Sequence, residues 1–237
     1  MNRLYLVRHG ENQANLTKEF SCRRVDYSLT AKGVLQAKQT ADYFCDKQID
    51  EIFGSPLKRA LETAQILATR LGLEVTTVEG LREIDVGDLE DQPVSAELWA
   101  FHDRIIEAWF NGQPEIAFPG GDSYVTLRNR VRAALQQIIA GKDGRNLVIV
   151  GHGGNLSAVI SELCPHLDAN RFRRRPTHNC SITELAVEQR NGHLHAELIA
   201  WADYAHLHGA AAELVPGTPQ PGELSSGANK CYRESPR

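Results

Sequence analysis

One segment near the start of the chain reads Leu4-Tyr5-Leu6-Val7-Arg8-His9-Gly10-Glu11. Its four apolar residues predict a buried strand that ends directly before an arginine and a histidine. A second segment has the same form, Leu147-Val148-Ile149-Val150-Gly151-His152-Gly153. Parallel strands present their carboxyl ends at one edge of a sheet, so neighbouring strands would bring the two histidines together there. Two histidines in matching positions favour a functional site over a structural role.

Short apolar runs alternate with helical patterns along the rest of the chain. Strands are predicted at residues 4–7, 51–54, 75–78 and 147–150, and two closing strands at 181–187 and 194–199 flank the turn Asn191-Gly192. Helices are predicted at 30–46, 95–110 and 123–140, from Pro56 to Arg70 with Ser55 as N-cap, and after Gly154 as far as Leu163. This order predicts an α/β three-layer sandwich: a mostly parallel central sheet flanked by helices, with one antiparallel strand.

The composition limits the partners. The 237 residues carry 30 acidic and 26 basic side chains, a formal charge of -4, which gives no electrostatic reason to expect nucleic acid or an anionic membrane. No apolar run is long enough to span a membrane, and the opening residues lack the apolar region of a signal peptide. Five widely spaced cysteines fit reduced thiols. We therefore expect a cytoplasmic monomer or homodimer.

Several common types of binding and catalytic site are disfavoured because the chain lacks their characteristic residue spacing. The turn after the second histidine strand lacks the third glycine of a dinucleotide-binding loop, and the chain contains neither a G-x-x-x-x-G-K-[ST] loop nor a G-x-S-x-G elbow. A metal site built from Asp26 or from the pairs His193–His195 and His206–His208 is a weak alternative to surface residues. We expect no metal and no cofactor.

Six blocks of sequence occur in an order that resembles the histidine phosphatase superfamily, the phosphoglycerate-mutase-like clan. They span roughly residues 3 to 200, and one such block alone would be weak support. The blocks are Leu4 to Glu11 with Asn15, Leu29-Thr30-Ala31-Lys32-Gly33 with Gln36-Ala37, Ser55-Pro56-Leu57-Lys58-Arg59-Ala60 with Thr63-Ala64, Leu81-Arg82-Glu83 with Gly87, Val148 to Gly153, and Asn179 to Leu185.

The resemblance implies a role for each matching residue. His9 would attack phosphorus as the nucleophile, and Glu83 would protonate the leaving group and later activate water. The phosphate would be held by side chains that donate hydrogen bonds, and arginine forks suit phosphate geometry. These predicted phosphate-binding residues are Arg8, Asn15, Ser21, Cys22, Arg59, His152 and Gly153. His9 must be neutral to attack, and its other ring nitrogen needs an acceptor that the sequence does not identify.

The predicted activity is hydrolysis of a small phosphorylated metabolite through a phosphohistidine. Mutases of the clan carry a long insertion with paired arginines after the acid block, whereas residues 89–120 are short here and contain only Arg104. We expect this segment to cap the site. A phosphoglycerate mutase, a phosphoprotein phosphatase and a binding module that has lost catalysis remain the alternatives. The binding module is disfavoured because the chain has all of Arg8, His9, Arg59, Glu83 and His152.

Three further features depart from the family pattern or extend beyond it. Cys22 stands where relatives usually have glycine, so either a filler residue or an active-site thiol is predicted there. Arg171, Arg173, Arg174 and Arg175 form a basic patch, interpreted as a solvated face or as a second anion site. We assign residues 1–208 to one domain and residues 209–237, rich in Pro, Gly and Ser, to a weakly packed or disordered tail.

Overall fold

A six-stranded sheet in the order β3-β2-β4-β1-β5-β6 forms the centre of the computed structural model, which describes residues 1–167, 177–190, 193–219 and 224. The strands are β1 (Asn2–Arg8), β2 (Glu51–Gly54), β3 (Val75–Thr77), β4 (Asn146–Gly151), β5 (Ile182–Arg190) and β6 (His193–Asp203). The α-helices are α1 (Gln13–Thr17), α2 (Ala31–Phe44), α3 (Lys58–Leu71), α4 (Ala96–Phe110), α5 (Tyr124–Ile139) and α6 (Gly153–Leu163).

The pairing of the strands confirms the predicted fold. β3, β2, β4 and β1 are parallel, and β5 is antiparallel to both β1 and β6. β1 and β4 are direct neighbours, with Val7 opposite Val150 and Arg8 opposite Gly151. This register places His9 and His152 side by side just beyond the sheet edge. The predicted turn at 191–192 lies outside the described residues.

Alternating side chains of the central strands bury the sheet on both faces, as a three-layer fold requires. On one face Leu4, Leu6 and Ile149 join a core cluster with α5 and α6. On the other face Tyr5, Val7, Val148 and Val150 pack with α2 and α3. Each fully buried aliphatic side chain contributes about 1.5–3 kcal/mol, so the central strands give the site a rigid base.

The start of α3 differs from the sequence prediction. Leu57, not Ser55, is the N-cap residue, and its side chain makes no capping hydrogen bond. Asp26 supplies the missing acceptor from a distant loop, because its Oδ1 accepts the Lys58 N–H at 2.9 Å. Ser55 is fully buried and its hydroxyl is hydrogen-bonded to His152 Nε2 at 2.7 Å. The serine therefore belongs to the site and not to the helix cap.

The start of the predicted tail packs on the domain, so the expectation of weak packing from residue 209 was wrong there. Ala211 is fully buried, and its carbonyl accepts a hydrogen bond from Gln36 Nε2 at 3.1 Å. The carbonyl of Pro216 accepts from Lys18 Nζ at 2.8 Å. Residues 225–237 lie outside the described part. Within the described residues, no helix is long and apolar enough to cross a membrane.

Candidate active site

The loop after β1 is held by side chains from α2 and α3. The Gly10 N–H donates to Thr63 Oγ1 at 3.0 Å, and the Glu11 N–H donates to Gln36 Oε1 at 2.9 Å. Gly33 lets α2 approach closely, since a Cβ at this position would lie 2.1 Å from the Glu11 carbonyl oxygen. The threonine, glycine and glutamine of the sequence blocks thus fix the backbone that carries His9.

The tautomer of His9 is set by its two hydrogen bonds. Nδ1 lies 2.7 Å from the carbonyl oxygen of Gly10, which only accepts, so Nδ1 carries the proton. Nε2 then has the lone pair, and it accepts from Arg59 Nε at 3.1 Å. The acceptor that the sequence left unidentified is therefore the carbonyl of the next residue. His9 presents Nε2, its potential nucleophilic atom, to the guanidinium of Arg59.

Burial keeps His9 neutral. The side chain is almost completely buried, and this burial, reinforced by the charges of Arg59 and Arg8, lowers the pKa of His9 well below its usual 6.5. The hydrogen bond to Gly10 acts in the opposite direction but is the weaker influence. A depressed pKa means that the imidazole is unprotonated at neutral pH, which is the form that has a lone pair to donate.

His152 lies against His9, with 5.2 Å between the ring centroids, as predicted from the two strand ends. It is fully buried, and burial followed by the charge of Arg59 lowers its pKa well below the usual range. Its Nε2 is bonded to Ser55, whereas its Nδ1 has no hydrogen-bond partner among the described residues. One ring nitrogen therefore remains available to a ligand.

Two buried arginines complete the positive end of the site. Arg8 Nη1 donates to the carbonyl of Thr177, while Arg8 Nε has no partner among the described residues. Burial lowers the pKa of Arg8 to about 10, which leaves it charged at neutral pH. Burial costs both cations their hydration, and an anionic ligand would offset that cost through charge-assisted hydrogen bonds of about 1.5–3 kcal/mol each. The arrangement is suited to a phosphoryl group.

Glu83 lies at the N-terminus of α6, where it accepts three backbone N–H groups. Its carboxylate receives the Gly154 N–H at 3.1 Å, the Asn155 N–H at 2.8 Å and the N–H of Ile84 at 2.9 Å. A Cβ on Gly154 would come within 2.8 Å of Glu83 Oε1, so the glycine permits this contact. Glu83 and Gly153 line the same cavity as His9. The predicted acid and nucleophile therefore face one space.

Asn15 is held by its carbonyl oxygen. Asn15 Oδ1 accepts the Asn12 N–H at 3.1 Å and Asn179 Nδ2 at 3.0 Å, in a capping box at the start of α1. Because both bonds use the oxygen, the amide NH₂ is the part of the side chain suited to donate to a phosphate oxygen. Asn15 also lines the cavity.

Ser21 and Cys22 line the cavity but are engaged in ways that the sequence did not predict. Ser21 accepts Arg59 Nη1 on its hydroxyl at 3.0 Å and Arg59 Nη2 on its carbonyl at 2.8 Å, so it positions that arginine. The Cys22 N–H already donates to Glu90 Oε1 at 2.7 Å and is not free for phosphate. Burial raises the pKa of the Cys22 thiol to about 12, which disfavours a reactive thiolate.

Glu90 organises the loop and was missed by the sequence analysis. Its carboxylate accepts the backbone N–H groups of four consecutive residues, 22–25, at 2.7 to 3.3 Å. Burial disfavours its charged form, but these four bonds outweigh burial and lower the pKa of Glu90. The loop leads back to Ser21 and hence to Arg59. Glu90 lies seven residues after Glu83, and no local sequence pattern around it indicates the contact with residues 22–25.

Replacing Glu90 with Gln should loosen the loop that carries Ser21. A glutamine amide nitrogen cannot accept N–H bonds, so we expect kcat/KM for p-nitrophenyl phosphate to fall about tenfold and Tm to fall by roughly 2–10 °C. Asp91→Asn is the matched control, because Asp91 pairs with Arg24 at the exposed surface. Equal effects of the two substitutions would rule out the organising role of Glu90.

Comparison with known proteins agrees with this geometry. Residues 4–198 match the histidine phosphatase superfamily, branch 1. The chain belongs to this superfamily. It is 33% identical over 216 residues to the probable phosphoglycerate mutase GpmB of Proteus mirabilis strain HI4320, covering 91% of this chain and 99% of that protein. As a superfamily member it is an enzyme of the histidine phosphatase type.

Several solved structures of phosphatases share its fold. A mycobacterial glucosyl-3-phosphoglycerate phosphatase superimposes with a TM-score of 0.73 at 27% identity, covering 86% of this chain and 100% of the other. Phosphoserine phosphatase from Entamoeba histolytica, solved with 3-phosphoglyceric acid, gives 0.71 at 27% identity, covering 88% and 100%. Within the described residues of this histidine phosphatase, no group of three or more His, Cys, Asp or Glu side chains is arranged to hold a metal.

Proposed function

We propose that this histidine phosphatase hydrolyses phosphomonoesters of small molecules through a phosphohistidine at His9. The observation that carries the proposal is the state of His9: its tautomer is fixed by Gly10 and its charge is suppressed by burial, with Nε2 beside Arg59. A neutral histidine with an oriented lone pair, surrounded by buried cations, is what an attack on phosphorus requires.

The first half-reaction transfers the phosphoryl group to the enzyme. His9 Nε2 forms an N–P bond while the P–O bond to the substrate alcohol breaks, and Glu83 gives its proton to the departing oxygen. Arg8, Arg59 and His152 donate to the non-bridging phosphate oxygens, whose negative charge dominates the transition state. Asn15 adds an amide donor. The first product is the alcohol, and Glu83 is left as a carboxylate.

The second half-reaction hydrolyses the phosphoenzyme. Glu83 takes a proton from a water molecule whose oxygen attacks phosphorus, and the N–P bond breaks with its electron pair returning to His9. Inorganic phosphate leaves, and both residues regain their starting protonation states. No metal or organic cofactor is needed in this scheme, since the arginines carry the positive charge. We propose that the enzyme works in the cytoplasm as a monomer or homodimer.

A mutase is the second candidate, because the relative from Proteus mirabilis is named a probable phosphoglycerate mutase. The two activities differ in the acceptor of the phosphoryl group, which is water in one case and a phosphoglycerate in the other. We expect the purified protein to release inorganic phosphate from p-nitrophenyl phosphate without a primer. With 3-phosphoglycerate and catalytic 2,3-bisphosphoglycerate, we expect isomerisation below about one hundredth of that rate. Faster isomerisation than phosphate release would establish the mutase instead.

A further inference from the structure

Beyond the phosphate end, the cavity that contains His9 has an apolar wall. Its volume is about 470 Å³, in the size range of small-molecule sites. The wall is built from the loop before Ser21 and from α4, α5 and α6. Its aromatic and aliphatic residues include Phe20, Trp99, Ile106, Trp109, Tyr124 and Ile160.

Three tryptophans line the cavity, and two of them, Trp99 and Trp109, offer it only their apolar surfaces. Trp99 Nε1 donates to the carbonyl of Lys18 at 3.0 Å, and Trp109 Nε1 donates to the carbonyl of Ile116 at 2.6 Å. With both N–H groups satisfied by backbone, the indoles of Trp99 and Trp109 have no donor left for a substrate hydroxyl or carboxylate. Phe20 packs on Trp99 with 4.6 Å between ring centroids, which makes the wall continuous.

The charges along the described lining separate the cavity into two ends. Arg8, His9, Arg59 and Glu83 lie at the phosphate end. Among the other described lining residues, the ionisable side chains are Glu19, His102, the phenol of Tyr124 and the thiols of Cys22 and Cys164. Glu19 accepts from the Tyr27 hydroxyl at 2.9 Å, and the His102 ring is stacked on Phe20. Away from the phosphate end, the lining residues that the structure describes include no arginine or lysine for a second anionic group, and Glu19 would repel one.

We propose that the substrate is the phosphate monoester of an apolar alcohol, with an aromatic or medium-length alkyl group that lies along this wall. The inference rests on the proposed function for the phosphate end, but the wall itself can be tested without turnover. Binding of an apolar group would be favourable because the group leaves water and contacts the apolar wall. A phosphoglycerate or a phosphoamino acid would instead place a carboxylate against apolar rings and Glu19.

A series of n-alkyl phosphates from ethyl to octyl tests the substrate class. The leaving alkoxides have nearly the same basicity, so changes in kcat/KM report contact with the wall. We expect kcat/KM to rise about threefold to fourfold per methylene until the cavity is filled. 3-Phosphoglycerate and phosphoserine should be at least about 100-fold poorer than octyl phosphate. A flat series, or a carboxylate-bearing substrate that equals octyl phosphate, would overturn the inference.

A pair of variants locates the effect. Ile106→Ser places a hydroxyl on the wall and should reduce the dependence on chain length, with about a tenfold loss for octyl phosphate. Ile199→Ser is the matched control, because Ile199 is 47% exposed on β6 and does not line the cavity. Its chain-length dependence should remain that of the wild type. If the chain-length dependence of kcat/KM changed equally in both variants, contact with the wall would not be its cause.

Binding of n-alkylphosphonates separates failure of this inference from failure of the proposed function. These compounds keep the phosphate-like head, are not hydrolysed and can be titrated calorimetrically. Affinity that rises with chain length supports the apolar wall even if no ester is turned over. Equal affinities across the series would overturn the inference even if p-nitrophenyl phosphate is hydrolysed, and the proposed function would then stand alone.

Discussion

His9→Ala should abolish phosphate release from p-nitrophenyl phosphate, with kcat/KM falling at least about 1000-fold. Alanine removes the lone pair that forms the N–P bond, and the positive charges that surround His9 cannot replace a nucleophile. The phosphoenzyme should disappear as well. Rapid acid-free quenching after incubation with radiolabelled substrate should give labelled wild-type protein and an unlabelled variant.

The control for His9→Ala is His195→Ala, which removes an exposed imidazole from β6. Its activity should equal that of the wild type. Thermal unfolding followed by circular dichroism shows whether either variant is misfolded, which matters because His9 is buried in the site. If folded His9→Ala kept more than about a tenth of wild-type activity, the phosphohistidine mechanism would be abandoned.

Glu83→Gln should have the second largest effect, and its size should depend on the leaving group. Glutamine cannot give a proton to an alkoxide, so kcat/KM for alkyl phosphates, which reports the first half-reaction, should fall about 100- to 1000-fold. p-Nitrophenolate needs little protonation to leave, and its phosphate ester should lose less than about tenfold. Kinetics on octyl phosphate and p-nitrophenyl phosphate with the same protein preparation measure the difference.

The contact of Glu83 with the N-terminus of α6 requires a control for structural damage. One carboxylate oxygen accepts the Asn155 N–H and the other accepts the Gly154 N–H, so a glutamine would leave one of them without an acceptor. The lost hydrogen bond should lower the free energy of unfolding by about 1–3 kcal/mol and lower Tm. This structural effect would reduce activity equally on every substrate. Glu79→Gln, in an exposed pair with Arg82, is the comparison. Equal losses on both substrates would remove Glu83 from the acid role.

Much of the fold could be predicted because local sequence patterns determine where its strands and helices begin and end. Buried strands such as 147–150 are continuous apolar runs, and helix ends follow caps such as Ser95, whose hydroxyl accepts the Leu98 N–H at 3.1 Å. The cap of α3 could not be predicted in this way. Its acceptor, Asp26, lies 32 residues before Lys58, and no short-range rule connects two such positions.

In the active site, too, some residues could be predicted from local sequence patterns and others could not. Arg8 and His9 were identified because a strand of fixed direction delivers them to the sheet edge. Glu90 was missed, and Cys22 was expected at the phosphate, because the contact between them joins segments 68 residues apart. The basic patch at 171–175 lies outside the described residues, so its role as a solvated face or an anion site stays a prediction.

By itself the sequence determined the layered α/β fold, the family and the pair of histidines, because strand periodicity, caps and motif spacing act over a few residues. The tertiary structure alone decided that His9 is neutral with its proton on Nδ1, that Ser21 positions Arg59, and that the cavity ends in an apolar wall. Desolvation and electrostatic fields are sums over every group that surrounds an atom. Those groups come from distant parts of the chain and meet only when it folds.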